Sequence, residues 1–271
     1  MGTEGNFKGK CALITGGARN IGLEIAKALA SEGASVAIAD ICDDLKTIPY
    51  GLSSTEDMDR AIKEISLFDP KALGLTCDVR HENEVQALIE KVLETFGRLD
   101  ILVNNAGVNS LYPIEKLSEE AWNEVLDVCL KGTYLCCKHV IPHMIGRRQG
   151  KIVNIASVAG LKGLGYSVHY CAAKHGVVGL TRALAVEVAD HNINVNAVCP
   201  GTVESPMLKG LASQVDLDGD PYGHFSQGHL FQDRPISPQD VAQAVLWLVS
   251  GKSRPLTGTV INVDAGWSAR A

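Results

Sequence analysis

Tyr170 and Lys174, with Ser157 upstream, are the side chains of this chain best suited to moving a proton. They stand in the segment YCAAK, and on a helix an i,i+4 pair lies on one face. A phenol with a pKa of about 10 is a poor base at neutral pH, and a nearby ammonium favours the phenolate. Lys174 would therefore make Tyr170 a better general base, while Ser157 holds the reacting oxygen. The spacing alone is weak, because any helix face can carry it by chance.

A glycine-rich turn near the N-terminus predicts a phosphate-binding site. Residues 15–22 read TGGARNIG, and their glycines would let backbone amides approach a pyrophosphate where the first helix begins. The second predicted strand ends at Asp40, whose carboxylate would accept hydrogen bonds from adenosine ribose hydroxyls and repel a 2′-phosphate. Arg19 is a counter-signal, because a basic residue in this turn favours such a phosphate. No Arg or Lys occupies the two positions after Asp40, so we expect NAD rather than NADP.

Strand-like and helix-like segments alternate along the chain. The predicted strands are residues 11–15, 35–40, 72–78, 101–105, 151–157, 193–199 and 259–263. The predicted helices are residues 21–32, 82–96, 170–190 and 238–249, with a long helix inside 118–144. Strands separated by helices indicate right-handed βαβ units and a parallel sheet. We predict an α/β fold with a Rossmann-type doubly wound parallel sheet of about seven strands, in a single domain over 1–271, which binds ligands beyond the carboxyl ends of its strands.

Composition argues against several classes of partner. The chain has 271 residues and a net charge of −6, and its Lys and Arg are dispersed, which disfavours nucleic acid and anionic membrane as partners. No apolar run is long enough to span a bilayer, and the N-terminus has no signal-peptide core. The eight cysteines form no C-x-x-C pair, which is typical of small buried side chains in a reducing compartment. We expect a cytoplasmic protein without a metal site.

Several ordered motifs extend beyond the glycine-rich turn and the Tyr/Lys pair. They are CDV at 77–79, NNAG at 104–107, PG at 200–201 and VDAG at 263–266. Together with Ser157, they make the chain resemble the single-domain branch of the short-chain dehydrogenase/reductase family over essentially its whole length. The resemblance implies that Tyr170 is the acid/base, that Lys174 holds the nicotinamide ribose and lowers the tyrosine pKa, and that Ser157 positions the substrate oxygen.

The resemblance also implies a cofactor-binding set spread along the chain. Asp78 is expected at the adenine amino group with Val79 beside it, and residues 105–107 are expected beside the adenosine half. Val203 and Ser205 are expected near the nicotinamide amide. The complete set is Gly16, Arg19, Asn20, Ile21, Gly22, Asp40, Asp78, Val79, Asn105, Ala106, Gly107, Tyr170, Lys174, Pro200, Gly201, Val203 and Ser205. Related proteins form tetramers through the long helix and the Tyr170 helix, so a homotetramer is expected.

Two positions depart from the family pattern. Asn20 stands where the middle glycine of the turn is usual, and asparagine tolerates the left-handed conformation better than most residues. Cys129 stands on the long helix where the family commonly carries an asparagine that supports a water in the proton relay. This second departure leaves the hydride chemistry in place and puts the details of the relay in question. We expect Cys129 to be a buried, inert thiol rather than a reactive one.

The segment after the second strand has a narrower resemblance. IPYGL at 48–52 and STEDM at 54–58 belong to an insertion like that of the carveol dehydrogenase-like members, which are associated with the mycofactocin redox system. There the insertion lies by the cofactor, and NAD can be held without exchanging. A retained NAD would require an external redox partner. The alternative is an ordinary surface loop leading into a helix.

Residues 202–234 form a long polar segment, which is typical of a substrate lid. The apolar side chains of this lid and of the loop before it suggest an apolar pocket; they are Leu161, Leu164, Tyr166, Leu208, Leu211, Tyr222, Phe225, Leu230 and Phe231. Asp216 begins a superficial match to a calcium loop, but Gln227 stands where a bidentate Glu is needed. His224 and His229 are expected in solvent. His169 and His175 are expected at a surface or interface.

The resulting functional prediction is an NAD-dependent enzyme that interconverts a secondary alcohol and a ketone. No cluster of Arg or Lys offers a partner for a phosphate or carboxylate on the substrate. A neutral, hydrophobic and cyclic alcohol is therefore the expected class, with a fatty-acyl or sugar ketone as alternatives. The alternative function is a catalytically weak NAD-binding sensor or scaffold. Loss of Ser157, Tyr170 or Lys174 would mark that alternative, and all three are present.

Overall fold

Seven strands pair in parallel in one sheet. The computed structural model describes residues 6–215, 219–231, 233 and 235–270. Its strands are β1 (Cys11–Thr15), β2 (Ser35–Asp40), β3 (Leu73–Thr76), β4 (Ile101–Asn104), β5 (Gly150–Ile155), β6 (Ile193–Pro200) and β7 (Val260–Val263). Their order across the sheet is β3-β2-β1-β4-β5-β6-β7, and every neighbouring pair is parallel. The predicted Rossmann-type doubly wound sheet is confirmed.

Helices cover both faces of the sheet. They are α1 (Asn20–Ser31), α2 (Thr55–Ile65), α3 (Glu82–Phe96), α4 (Glu119–Leu126), α5 (Gly132–Arg147), α6 (Val168–Val188), α7 (Pro206–Gln214), α8 (Pro221–Phe225) and α9 (Pro238–Val249). Apolar side chains of α1, α2 and α9 pack on one face, and those of α3, α5 and α6 pack on the other. All residues of β1 and β4 are buried, as a sheet covered on both faces requires.

The strand order reverses between β1 and β4. The chain moves outward through β2 and β3 on one side, and through β5, β6 and β7 on the other. The loops that follow β1 and β4 therefore diverge and leave a crevice at the carboxyl edge of the sheet. Thr15, Asp40, Asn104, Ile155 and Pro200 end their strands at this edge. Most of the residues predicted to bind a cofactor follow directly after them.

The structure contains three helices for which the sequence pattern gave no bounds, although a helix after the insertion was one of the stated alternatives. Helix α2 begins with a capping box, in which Ser54 and Asp57 satisfy each other's backbone N–H groups. Helices α7 and α8 lie within the predicted lid and each begins at a proline, which suits the first helical position. Residues 216–218 of the acidic turn, and Arg234 at the end of the predicted lid, lie outside the described residues.

The predicted long helix is divided into two parts. Helices α4 and α5 are joined by a π-helical turn over Asp127–Lys131, which contains Cys129. Such a turn inserts one extra residue per hydrogen-bonded ring, and it is frequent at functional sites. The turn directs Cys129 towards the interior, where its side chain is fully buried.

In the part of the chain that the structure describes, no helix has both the length and the apolar character needed to cross a membrane. All eight cysteines are free thiols. Six of them are buried, and Cys42 and Cys171 are partly buried. This burial agrees with their predicted role as small packing side chains.

Candidate active site

A cavity of about 550 Å³ opens at the carboxyl edge of the sheet. Every residue predicted to bind the cofactor or to take part in catalysis lines it; besides Ser157, Tyr170 and Lys174 these are Gly16, Arg19, Asn20, Ile21, Gly22, Asp40, Asp78, Val79, Asn105, Ala106, Gly107, Pro200, Gly201, Val203 and Ser205. The structure thus brings together side chains that lie up to 189 residues apart in the chain, from Gly16 to Ser205. Their individual roles stay predictions.

The glycine-rich turn packs against the loop after β4. A Cβ on Gly22 would lie 2.1 Å from the carbonyl oxygen of Gly16, so no larger residue fits there without movement of the backbone. Asn105 donates from Nδ2 to the carbonyl oxygens of Thr15 and Gly16, at 3.0 and 2.8 Å, which fixes the turn. Asn20 adopts the left-handed conformation with φ of 50°, as expected for an asparagine in place of glycine.

The N-terminus of α1 faces this cavity without a side-chain cap. The residue before the helix, Arg19, is extended and makes no capping hydrogen bond. By contrast, Ser54, Ser118 and Ser237 cap α2, α4 and α9. Free N–H groups and the positive end of the helix dipole are the features that bind phosphate. The turn therefore fits a pyrophosphate.

The carboxylate of Asp40 lies at the end of β2 beside this turn. It accepts hydrogen bonds from the backbone N–H groups of Ala18 and Ile41, each at 3.0 Å. Burial raises the pKa of Asp40, while these hydrogen bonds and the charge of Arg19 act in the opposite direction. The guanidinium of Arg19 itself donates to the carbonyl oxygen of Gly51 at 2.9 Å. Arg19, the basic residue that would favour a 2′-phosphate, is thus hydrogen-bonded to the segment after β2.

Helix α2 takes up the C-terminal part of the predicted insertion, and below we call residues 41–54, which precede this helix, the insertion. It is bonded to the predicted adenine-binding region through Glu124 of α4, a buried carboxylate. Thr47 donates to Glu124 from both its backbone N–H and its hydroxyl. Arg80 donates to Glu124 at 3.4 Å and also pairs with the carboxylate of Asp78. Burial acts to raise the pKa of Asp78, but the hydrogen bonds from Arg80 outweigh it and the pKa is lowered.

The three predicted catalytic residues meet where β5 runs into α6. Ser157 follows β5, and its hydroxyl oxygen accepts from the N–H of Ala159 at 3.1 Å. Lys174 is buried and donates from Nζ to the carbonyl oxygen of Ile155 at 2.8 Å. The same ammonium lies 5.5 Å from the centroid of the Tyr170 ring. This arrangement places a hydroxyl, a phenol and a cation along one wall of the cavity.

The pKa of Tyr170 differs from the sequence expectation. The spacing predicts that Lys174 lowers it, but in this structure burial raises the pKa of Tyr170, with a smaller contribution from Cys129. A hydrogen bond with Ser157 acts in the opposite direction. The physical reason is that an enclosed phenolate loses its hydration, and this loss exceeds the stabilisation by its neighbours. In the chain alone, Tyr170 is therefore held protonated.

Cys129 and Lys174 both lie beside Gly107 in the interior. Its thiol donates to the carbonyl oxygen of Val108 at 3.4 Å. A Cβ on Gly107 would lie 3.4 Å from Nζ of Lys174 and 3.6 Å from Sγ of Cys129, so both side chains border the same glycine. The fully buried position fits the predicted inert thiol.

Tyr50, in the insertion, is a lining residue that the sequence analysis did not assign to the site. It lines the cavity, and its hydroxyl oxygen accepts from the N–H of Asn109 at 3.1 Å. Burial raises its pKa. The Tyr50 ring packs on α7, where a Cβ on Gly210 would lie 2.4 Å from it. The signal in the sequence was the resemblance of the IPYGL segment, which implies an insertion beside the cofactor but not the contact with α7.

The apolar wall of the cavity differs in part from the predicted set. Leu164, Leu208, Leu211 and Phe225 line it as expected. The prediction was wrong for the other five, since Leu161, Tyr166, Tyr222, Leu230 and Phe231 do not line it. Leu230 and Phe231 are instead about half exposed, at 55% and 54%. Other apolar residues that line the cavity include Leu111, Met207 and Trp267, and Trp267 reaches it from the segment after β7.

Two histidine predictions were also wrong. His229 is buried rather than in solvent, and its Nε2 accepts from the N–H of Thr202 at 3.1 Å. His169 is fully buried, and its Nε2 lies 2.9 Å from the Ser110 hydroxyl oxygen. Burial lowers the pKa of both, so both are neutral near pH 7. His224 and His175 are exposed, as predicted.

The chain is similar to known proteins in both sequence and structure. The family model described as short chain dehydrogenase matches residues 10–216. A 3-oxoacyl-acyl-carrier-protein reductase, FabG of Thermotoga maritima, is 37% identical over 96% of this chain and 98% of its own. The (−)-trans-carveol dehydrogenase of Rhodococcus erythropolis is 37% identical over 96% and 97%. A crystal structure of carveol dehydrogenase from Mycobacterium avium in complex with NAD superposes with a TM-score of 0.93 and 34% identity, covering 98% of this chain and 100% of that one.

Proposed function

Because the chain belongs to the short-chain dehydrogenase family of oxidoreductases, we propose that it interconverts a secondary alcohol and a ketone with NAD as cofactor. The observation that carries the proposal is the wall formed by Ser157, Tyr170 and Lys174 in the same cavity as an uncapped helix N-terminus. The first group suits proton transfer to or from an oxygen, and the second suits a dinucleotide. A hydride-transfer enzyme needs both, a group that transfers the proton and a site that holds the dinucleotide.

The proton transfer is assigned to Tyr170. When bound, a nicotinamide cofactor supplies the acceptor or donor of hydride. For ketone reduction, Ser157 holds the carbonyl oxygen and Tyr170 gives it a proton, a role that suits a phenol whose pKa burial raises. For alcohol oxidation, Tyr170 must first give its proton to solvent water, and the phenolate then takes the proton of the substrate hydroxyl. The ammonium of Lys174 stabilises that phenolate electrostatically.

The preference for NAD over NADP rests on Asp40. Its carboxylate lies beside the turn and would repel a 2′-phosphate on the adenosine ribose. Arg19 is the residue that would favour such a phosphate, and its guanidinium is bonded to Gly51 of the insertion. The NAD-bound carveol dehydrogenase from Mycobacterium avium supports the same choice. We therefore assign NAD as the cofactor.

The proposed substrate is a neutral, hydrophobic and cyclic alcohol or ketone. Its chamber is walled by Leu111, Leu164, Met207, Leu208 and Phe225, which offer apolar contact. The carveol dehydrogenase of Rhodococcus erythropolis, by its name, acts on such an alcohol. The FabG relative, by its name, acts on a 3-oxoacyl group carried by a protein, and this is the second substrate class to test.

We further propose that the insertion slows the release of NAD, so that an external redox partner reoxidises the bound cofactor. Arg19, Glu124 and Asn109 each hold the insertion by hydrogen bonds. The protein is proposed to be a homotetramer built through α4, α5 and α6. Light scattering that reports a monomer would refute the tetramer.

The first experiment is mass spectrometry of the nucleotide released by denaturing the purified protein, followed by an activity screen. The screen measures NAD- and NADP-linked turnover of terpenoid and steroid alcohols, and of a 3-oxoacyl thioester. Stoichiometric NAD and turnover of a cyclic alcohol support the proposal. Released NADP would overturn the argument from Asp40. If the protein binds NAD but turns over no substrate, the result would favour the alternative, an NAD-binding sensor or scaffold. The observation that supports this alternative is Cys129, which stands where the family commonly carries an asparagine.

A further inference from the structure

The C-terminal end of α7 is tied to the loop after β4 by a single side chain. The amide of Gln214 accepts from the N–H of Leu111 at 2.8 Å and donates to the carbonyl oxygen of the same residue at 2.7 Å. Both backbone groups of Leu111 are thereby satisfied by one planar amide, much as a neighbouring strand would satisfy them. Because Leu111 also lines the cavity, these two hydrogen bonds hold α7 over the substrate chamber.

The middle of α7 rests on the insertion. A Cβ on Gly210 would lie 2.4 Å from both Cβ and Cδ1 of Tyr50, so the helix backbone contacts the tyrosine directly. The hydroxyl oxygen of Tyr50 accepts from the N–H of Asn109, two residues before Leu111. Helix α7, the insertion and the loop at 109–111 thus form one closed set of contacts.

The loop at 109–111 also holds the start of the catalytic helix. Ser110 lies 2.9 Å from Nε2 of the buried His169, which precedes Tyr170. On the opposite side, the insertion is bonded to Arg19 of the glycine-rich turn through Gly51. A displacement of α7 would therefore strain contacts that lead both to the start of the helix that carries Tyr170 and to the glycine-rich turn.

We infer that Gln214 and Tyr50 are positioning residues that join the substrate lid α7 to the insertion over the cofactor, so that the cofactor leaves only when the lid opens. The inference rests on the proposed nicotinamide site. Tyr50 would have to move for the cofactor to pass, and Gly210 blocks that movement while Gln214 holds α7 closed. Lid opening and cofactor release then become one event.

Two substitutions test the coupling at different points of α7. Gln214→Met keeps the length of the side chain and removes both hydrogen bonds to Leu111. Gly210→Ala adds a Cβ that pushes α7 away from Tyr50. The matched control is Ser213→Ala, because the exposed Ser213 donates from its hydroxyl to the carbonyl oxygen of Lys209 within the same helix, its sole side-chain hydrogen bond among the described residues. If one of the two variants fails to fold, the other still decides the question.

The measurement is the rate at which bound NADH leaves when each protein is mixed with excess NAD, followed by nicotinamide fluorescence. We expect Gln214→Met to release NADH about tenfold faster than the wild type, the scale of two lost hydrogen bonds. Gly210→Ala is also expected to release NADH faster than the wild type, because the added Cβ displaces α7 from Tyr50. Ser213→Ala is expected to match the wild type. Hydrogen exchange of α7 should be slowed by NADH in the wild type and less so in the two variants, a readout that a merely structural loss would not produce.

Equal release rates in all four proteins would overturn the coupling while leaving the proposed function intact. Faster release without any effect of NADH on hydrogen exchange in α7 would also overturn it, because the lid would then not respond to the cofactor. A wild type that binds neither NADH nor NADPH would overturn the proposed function, and the coupling with it.

Discussion

Tyr170 is the residue on which the proposed chemistry depends most directly. Its phenol lies on the cavity wall with Ser157 and Lys174. We expect Tyr170→Phe to lower kcat by about 10²–10⁴-fold, the range contributed by a positioned acid or base. NADH affinity should be unchanged, since only the hydroxyl is removed. The measurement is steady-state kinetics on a substrate of the wild type, together with calorimetric titration of NADH.

The control for that variant is Tyr166→Phe. Tyr166 is four residues before the catalytic tyrosine, is 62% exposed and does not line the cavity. We expect it to retain full activity. A Tyr170→Phe enzyme that keeps a substantial rate would refute the assignment of the acid/base.

Asp40 is the second residue whose role is open to a direct test. Removing its carboxylate removes the repulsion of a 2′-phosphate, so Asp40→Ala should change the ratio of NAD to NADP affinity by at least a factor of about ten, about 1.4 kcal/mol. The ratio is measured by titrating both reduced cofactors. Asp43→Ala, an exposed acid three residues later, is the control and should leave the ratio unchanged. An unchanged ratio in Asp40→Ala would transfer the discrimination to Arg19 and the backbone.

At the scale of elements, the insertion is held to α4 by Thr47 and Glu124. Thr47→Val has nearly the same shape and removes the hydroxyl that bonds the buried carboxylate. We expect it to lower the free energy of unfolding by about 1 kcal/mol. NAD should also bind more weakly, because Glu124 shares Arg80 with Asp78. Urea unfolding and calorimetry measure the two effects.

Lys46→Ala is the matched control within the same segment. Lys46 pairs with Glu120 on the surface, where both side chains are more than half exposed, at 77% and 55%. Exposed pairs contribute little to stability, so neither quantity should change. Equal behaviour of Thr47→Val and Lys46→Ala would mean that the Thr47 hydroxyl does not hold the insertion.

At the scale of the whole molecule, the burial of His169 and His229 and the partial burial of His143 predict acid sensitivity. Burial lowers the folded-state pKa of His143, His169 and His229. The ring nitrogens of His143 and His229 also accept backbone N–H groups, which requires the neutral form. The unfolded chain binds these protons at a pKa of about 6.5. Stability is therefore complete above that pH and falls as the pH drops below it.

The measurement is the free energy of unfolding in urea at pH 7.5, 6.5 and 5.5. We expect the free energy of unfolding to decrease only slightly from pH 7.5 to pH 6.5, where titration begins, and to be clearly lower at pH 5.5. His175→Gln, at an exposed position, should reproduce the wild-type curve. A stability that stays constant down to pH 5.5 would contradict the neutral state of these histidines in the folded protein.

The sequence by itself determined the sheet and most of the site. Alternating apolar strands and amphipathic helices predict a doubly wound fold, because the periods of burial are local properties of the chain. The motifs at 15–22, 104–107 and 200–201 follow strand ends, and parallel strands bring their carboxyl ends to one edge. All of the predicted site residues accordingly line one cavity.

Only the tertiary structure decided how the cavity is closed and what surrounds its charges. The contact of Tyr50 with Gly210 joins residues 160 positions apart, and no local pattern encodes such an approach. Burial, which depends on the whole packed molecule, raises the pKa of Tyr170 where its spacing from Lys174 alone predicted the reverse. For the same reason His229 is a buried acceptor rather than an exposed loop residue. Local sequence specifies which groups are present, and packing sets their solvation and their partners.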